Sequence, residues 1–264
     1  MFNEELKFAK KLALEAGEIM RSYAKEKILA TEIKEDETIV TQADKEINSL
    51  VIKRVQSKYP SHSIDGEEGS FTQETDHVWV CDPIDGTNPF AMGLQVSIFS
   101  LALVIDGEPA VGVIYDPFGD KLYYAQTGSG AFMNDEIISV SKNGFGAKAR
   151  MNFDWWPEAE YDILTPLQKL SKDENVYLLS PGSTTHMAAL VARGEFIASI
   201  FPGTKGKNVD IAAAKVIVEG AGGRVTDLFG NEQRYDVDIK GAIVSNGVVH
   251  DEIVEYLKGV QSEV

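Results

Sequence analysis

One cysteine, Cys81, in 264 residues leaves no partner for an internal disulfide, so the chain must be held by its core. That cysteine usage fits a reducing compartment and leads to the expectation of a cytoplasmic protein. No uninterrupted apolar run approaches the ~18 residues of a membrane-spanning helix, and no secretory leader pattern is evident. Basic residues are in deficit: 25 Lys and Arg against 41 Asp and Glu give a net charge of −16. Such a surface repels phosphate backbones and offers no basic stripe, which argues against nucleic acid as a partner. It still admits a small phosphorylated substrate, provided cations stand between that substrate and the carboxylates. Internal repeats, low-complexity tracts and flexible linkers are also missing.

What is present is a 44% hydrophobic chain long enough for a substantial core. Apolar residues at Leu6, Ala9, Leu12, Ala16, Ile19 and Tyr23 form one helical stripe, with Asn3 as its expected N-cap. A second helix is expected after Thr41, burying Ile47, Leu50, Val51 and Val55 and closed by Pro60. The charged KEDET connector at 34–38 reads either as a solvated turn or as a mobile active-site loop. Strands are then expected at 78–82, 96–105, 110–115, 121–125 and 130–133, with Asp106-Gly107 as a hairpin turn. From about 145 the pattern alternates: strand 176–180, helix 184–193, strand 196–201, helix 209–220, strands 223–227 and 241–245, helix 249–258. The expected fold is therefore α+β in the first half and α/β in the second. We expect two subdomains in one compact body, 1–145 and 146–264, joined near KNGFGAKA.

The chemistry concentrates in CDPIDGTNPF, residues 81–90. A strand ending at Asp82 delivers one carboxylate, and Pro83 fixes the backbone that aims Asp85 beside it. Two such charges about 4 Å apart repel by ~4 kcal/mol at an effective dielectric near 20, so a cation or a proton must accompany them. Hard oxygen donors favour magnesium. Gly86 permits close backbone approach, and Thr87-Asn88 could open a helix whose free N–H groups take a phosphate. The plainer reading is a turn, since Asp-Pro and Asp-Gly are turn dipeptides. Glu67 and Glu68 in SIDGEEGS are a second carboxylate source or a surface loop, and Asp210 in NVDIAAAKVIVEGAGG is a ligand or an N-cap. Cys81, with no adjacent base, reads as a buried thiol, and Trp155-Trp156 as buried or interface aromatics. His186 is given no role.

Taken together, GEE at 66–68, DPIDGT at 82–87, and DIAA at 210–213 with EGAGG at 219–223 resemble the signature blocks of the inositol monophosphatase family of metal-dependent phosphatases. The text between them, VTQAD, GVIYDPFGDKLYYAQTGSGAFMN and GSTTHMAALVARGEF, follows the family's order, so the resemblance spans nearly the whole chain. It implies a layered αβαβα sandwich of the sugar-phosphatase type, a homodimer, two or three Mg2+ ions and lithium inhibition. By the same resemblance, Glu67, Asp82 and the Ile84 carbonyl hold a first ion, and Asp82, Asp85 and Asp210 a second. Glu67 and Glu68 reach a further one. Thr87, bonded to Asp44, orients the attacking water, Gly86 and Thr87 N–H groups hold the phosphate, and Ser183 and Thr184 line the sugar pocket. Asp44, Thr87 and Glu67 are thus the expected catalytic residues.

Two departures narrow the substrate. The family's Trp-Asp pair reads Val209-Asp210, and the glutamate that inositol-selective members carry seven positions earlier is Gly203. Lys205 and Lys207 stand on that approach, either as solvated loop charges or as receivers of a second phosphate. The expected activity is hydrolysis of small sugar or cyclitol phosphate monoesters of the inositol-1-phosphate type. Alternatives are a fructose-1,6-bisphosphatase, a phosphatase for 3′-phosphoadenosine 5′-phosphate or NADP, and a non-catalytic binding protein on the same fold.

Overall fold

The computed structural model of the chain describes residues 2–25, 31–34, 39–157, 159–203 and 208–260. Helix α1, Asn3–Tyr23, buries Ala9, Leu12, Ala13, Ala16 and Met20, with Leu6, Ile19 and Tyr23 half-buried at the edges of that stripe. The expected Asn3 cap is corrected: Phe2 is the cap residue, and Asn3 Oδ1 accepts a hydrogen bond from Gln126 Nε2 at 3.0 Å. Its oxygen is spent on a neighbouring strand and does not turn back onto the helix.

A short ribbon, β1 (Thr31–Ile33) with β2 (Ile39–Thr41), leads into α2, Gln42–Lys58. Ala43, Ile47, Val51 and Val55 face the core. Most of the charged connector lies outside the described residues.

Strands β3 (Ser63–Gly66), β4 (His77–Asp85), β5 (Ile98–Ile105), β6 (Glu108–Asp116), β7 (Lys121–Gln126), β8 (Ala131–Met133) and β9 (Glu136–Ile138) form one sheet in that spatial order. Only the β3–β4 pair is parallel. Asp106 and Gly107 turn β5 into β6 with φ of 50° and 87°, as a two-residue hairpin of the mirror-image type requires. A five-residue helix, α3 (Thr87–Ala91), follows β4 directly.

The second sheet has the order β11 (Tyr177–Leu179), β10 (Arg150–Phe153), β12 (Ala198–Phe201), β14 (Ala242–Ser245), β13 (Arg224–Thr226). Strand β10 runs parallel to β11 and β12, while β14 is antiparallel to its neighbours. Helices α4 (Leu164–Glu174), α5 (Thr184–Ala192), α6 (Ala212–Gly220) and α7 (His250–Leu257) complete the chain. The helix expected over 209–220 is divided: Asn208–Asp210 is a 3₁₀ turn and α6 starts beyond it.

Successive side chains of a strand point to opposite faces, and β5 uses both. Leu101 and Leu103 pack with Trp79 and Val113 under α1 and α2, whereas Ala102 and Val104 pack with Val80 and Ile114 under α5 and α6. Burial on both sides explains why β5 reads as an apolar run interrupted only by Ser100. A third core joins Met151, Ile200 and Ile243 of the small sheet to Leu167, Leu170, Ile253 and Leu257 of α4 and α7. The layers are helix, sheet, helix, sheet, helix.

Candidate active site

Register explains how the acidic motifs meet. Gly66, the last residue of β3, pairs with Cys81 of β4, and the Glu67 N–H donates to the Cys81 carbonyl at 3.2 Å. Glu67 is thereby set down beside Asp82. Along β4, Asp82 pairs with Ser100 and Asp85 with Ile98, so three steps on one strand face two on the other. Residues three apart on a regular strand point to opposite faces; the bulge adds the residue that restores Asp82 and Asp85 to one side. Pro83, which has no N–H to give to the ladder, sits in that bulge.

Asp82, Asp85 and Asp210 are buried, and each offers a carboxylate oxygen within 4.8 Å of the others. Asp82 Oδ1 accepts the Ile84 N–H at 2.9 Å. Asp85 Oδ2 accepts from Ser183 Oγ at 2.5 Å, from the Thr185 N–H at 2.9 Å and from the His186 N–H at 3.4 Å. Burial, then the neighbouring Asp210 charge, pushes the Asp85 carboxyl up to about 8, and the Ser183 hydrogen bond resists this. The Asp210 carbonyl accepts from Thr185 Oγ1 at 2.5 Å, which fixes the 3₁₀ turn against the start of α5. Glu67 and Glu68 are not in the three-carboxylate group; Lys34 Nζ lies 3.2 Å from Glu67 and 2.5 Å from Glu68.

Thr87 Oγ1 lies 3.1 Å from the Ile84 carbonyl and 3.3 Å from Asp44 Oδ1. Asp44 Oδ2 accepts the Thr41 N–H at 2.9 Å and the Thr41 hydroxyl at 2.5 Å. These bonds fasten Asp44 to the beginning of α2, while burial, opposed by the Thr41 bonds, raises its carboxyl to about 6. Gly86 has φ of +84°, and a Cβ there would come 2.8 Å from the Gly182 carbonyl, so a side chain would part the two loops.

Ser183 and Thr184 are both committed to carboxylates, Ser183 to Asp85 and Thr184 Oγ1 to Asp154 Oδ2 at 2.8 Å. Gly203 has φ of +83°, and a Cβ there would meet the Gly241 nitrogen at 2.7 Å. Lys205 and Lys207 lie outside the described residues. Cys81 is fully buried, and burial pushes its thiol well up, as expected of an inert cysteine. Trp156 packs 5.4 Å from Phe201, while Trp155 is 48% exposed, so only one of the pair is an interior aromatic.

The inositol monophosphatase family profile matches residues 2–262. The chain belongs to that family. Its members are phosphatases that hydrolyse phosphomonoesters. Among relatives of this inositol monophosphatase family chain is the fructose-1,6-bisphosphatase/inositol-1-monophosphatase of Thermotoga maritima, 34% identical over 226 residues, covering 86% of this chain and 85% of the relative. Inositol monophosphatase 1 of Bos taurus is 30% identical over 238 residues, covering 87% and 85%. A solved Thermotoga maritima IMPase superposes with a TM-score of 0.86 at 32% identity, covering 96% of each chain. No described helix is long and apolar enough to cross a membrane.

Residues outside the family blocks complete the site. The signal that could find Thr41 is the T-x-x-D spacing of a capping pair with Asp44. Asn208 Nδ2 donates to Asp65 Oδ2 and to the Tyr235 carbonyl, each at 2.9 Å, tying the turn that carries Asp210 to the strand that leads into Glu67. Asp154, only 5% exposed, is a further carboxylate near the cluster. The sole sequence signal for it was its place at the end of a strand, and no strand was expected there. The donor set of this phosphatase-family site suits a hard divalent cation: oxygen ligands only, crowded enough that one carboxyl is driven toward protonation.

Proposed function

We propose that the protein hydrolyses small sugar or cyclitol phosphate monoesters, of the inositol-1-phosphate type, with Mg2+ as cofactor. The observation that carries this reading is the convergence of Asp82, Asp85 and Asp210 next to the Thr87–Asp44 pair. Two or three magnesium ions would be held by Asp82, Asp85, Asp210, Glu67, Glu68 and the Ile84 carbonyl. Bound there, they supply charge neutralisation and acidify water, the usual means of in-line displacement at phosphorus. Thr87 has one hydroxyl proton and two acceptors near it, so its lone pairs are free to orient the attacking water. As Thr87 Oγ1 takes a proton from that water it passes its own to Asp44 Oδ1, whose raised proton affinity suits a general base near neutral pH. Glu67 assists, and the Gly86 and Thr87 N–H groups receive the phosphate oxygens.

The name of the Thermotoga maritima relative supports a second substrate, fructose 1,6-bisphosphate, for which Lys205 and Lys207 are the candidate receivers of the distal phosphate. We further propose a cytoplasmic homodimer of two-subdomain chains, 1–145 and 146–264, inhibited by lithium at one magnesium site.

Phosphate release from myo-inositol 1-phosphate, fructose 1,6-bisphosphate, 3′-phosphoadenosine 5′-phosphate and NADP, with and without magnesium, tests the reading. Magnesium-dependent release from the first is expected. Silence on all four, together with no saturable magnesium binding by calorimetry, would leave a binding protein on a phosphatase fold.

A further inference from the structure

Strands β10, β11 and β12 are parallel neighbours, so their carboxyl ends open on one edge of the second sheet. That edge is where α/β sheets gather ligands. Asp154 stands one residue beyond β10, with its N–H still donating to the Ile200 carbonyl of β12 at 3.0 Å. The segment after β11 supplies Ser183 and Thr184 to the same edge, and Thr184 Oγ1 donates to Asp154 Oδ2 at 2.8 Å.

The bonds of Asp154 are lopsided. Asn152 Nδ2 also donates to Oδ2, at 3.1 Å, whereas Oδ1 has no hydrogen-bond partner among the described residues. Nor is Oδ1 among the unpartnered atoms sealed from solvent. Orienting this carboxylate is costly: Asn152 spends its amide on Asp154 and Ser199 and leaves its own Oδ1 buried without a partner. The charges of Asp210 and Asp154, and of Asp154 and Asp85, act on each other, which places Asp154 near the acid cluster. Yet it stands outside the group whose oxygens lie within 4.8 Å, so it is not a natural member of the metal cage. A carboxylate oxygen fixed beside that cage and lacking a donor among the described residues asks for an O–H.

We propose that Asp154 is a specificity-determining residue that accepts a hydroxyl of the substrate's alcohol portion, selecting phosphate esters of polyols over esters of hydroxyl-free alcohols. This rests on the phosphatase reading above and assigns its selectivity to a residue outside the signature motifs. The test compares the unmodified protein with Asp154→Asn on myo-inositol 1-phosphate and on phenyl phosphate, with magnesium titrated into both proteins by calorimetry. Expected is a loss of about tenfold or more in kcat/KM on the polyol ester, as for a hydrogen bond to a charged group, with phenyl phosphate changed by less than about twofold and magnesium affinity unchanged. Equal losses on both esters, no loss on either, or lost magnesium affinity would overturn the proposal. Should Asp154→Asn not fold, the unmodified protein still decides, because cyclohexyl phosphate turned over as well as myo-inositol 1-phosphate would overturn it. Turnover of phenyl phosphate with none of the polyol ester defeats this proposal alone. No magnesium-dependent release from any ester defeats the phosphatase reading along with it.

Discussion

Ser183 Oγ donates to Asp85 Oδ2 at 2.5 Å, a bond between residues 98 positions apart that ties the bulge of the first sheet to the start of α5. The bond favours the charged form of a carboxyl that burial and Asp210 otherwise drive toward protonation. Metal binding needs the charged form. Ser183→Ala should therefore weaken magnesium affinity at pH 7 by about 10-fold or more, the worth of a hydrogen bond to a charged group. Calorimetry should find the deficit shrinking only as pH rises well above 8, because the value of about 8 already includes the Ser183 bond and without it Asp85 ionises higher still. A deficit that is constant with pH would mean that Ser183 acts by shape alone.

The same carboxyl predicts a pH slope in the metal-free protein. An ordinary aspartate ionises near 3.8, whereas Asp85 does so at about 8, so between these values the folded chain holds a proton that the unfolded chain has released. Stability must then fall as pH rises through that range. His250, pushed down to about 4 by burial, works in the opposite direction between about 4 and 6.5. The interval from about 6.5 to 8 is free of that opposition. With chelator present, the midpoint of thermal unfolding should drop across it, and Asp85→Asn should flatten the slope while abolishing magnesium binding. An unchanged slope in Asp85→Asn would assign it to other groups.

Much of this site was legible because its parts are local. Asp82, Pro83 and Asp85 fall within four successive residues, and β5 declares itself by an apolar run that both faces bury. What was not legible depends on register and on distance. The bulge that turns Asp82 and Asp85 to one side exists only against Ser100 and Ile98. Asn208 meets Asp65 across 143 residues, and nothing in either segment announces the other. Strand β10 carries no clear signal since its four residues include a polar Asn152, whose amide N–H2 is taken up by Asp154 and, across the fold, by Ser199. Asn3, read as a cap, was taken by Gln126, an instance of tertiary bonding overriding a local preference.

Thr87 offers a test of chemistry apart from metal binding. Its hydroxyl lies between the Ile84 carbonyl and Asp44, and valine would fill the same space without either bond. Thr87→Val should lower kcat by about 10² or more, the usual share of a proton-transfer group, while magnesium affinity moves by less than about threefold. Asp44→Asn should give a comparable loss. The double variant should lose little beyond either one, since the two act as a unit. Additive losses would place them on separate steps.

The family resemblance sets Gly203 where inositol-selective members are expected to carry glutamate, which makes placing glutamate there an obvious experiment. The backbone argues against a simple gain. At φ +83° a side chain sits in the left-handed region, costing about 1–2 kcal/mol, and its Cβ would press to 2.7 Å from the Gly241 nitrogen, a main-chain atom with little room to yield. Gly241 is itself held, its carbonyl accepting from Gln233 Nε2 at 3.0 Å. Gly203→Ala should thus destabilise by at least about 2 kcal/mol in denaturant unfolding, and Gly203→Glu by no less, with neither raising kcat/KM for myo-inositol 1-phosphate. A stable, more inositol-selective Gly203→Glu protein would show that the loop after β12 re-forms around a side chain, and that the absence of glutamate alone limits selectivity. Loss of stability in both variants would instead show that the backbone after β12, pressed against Gly241, is what bars a side chain at this position.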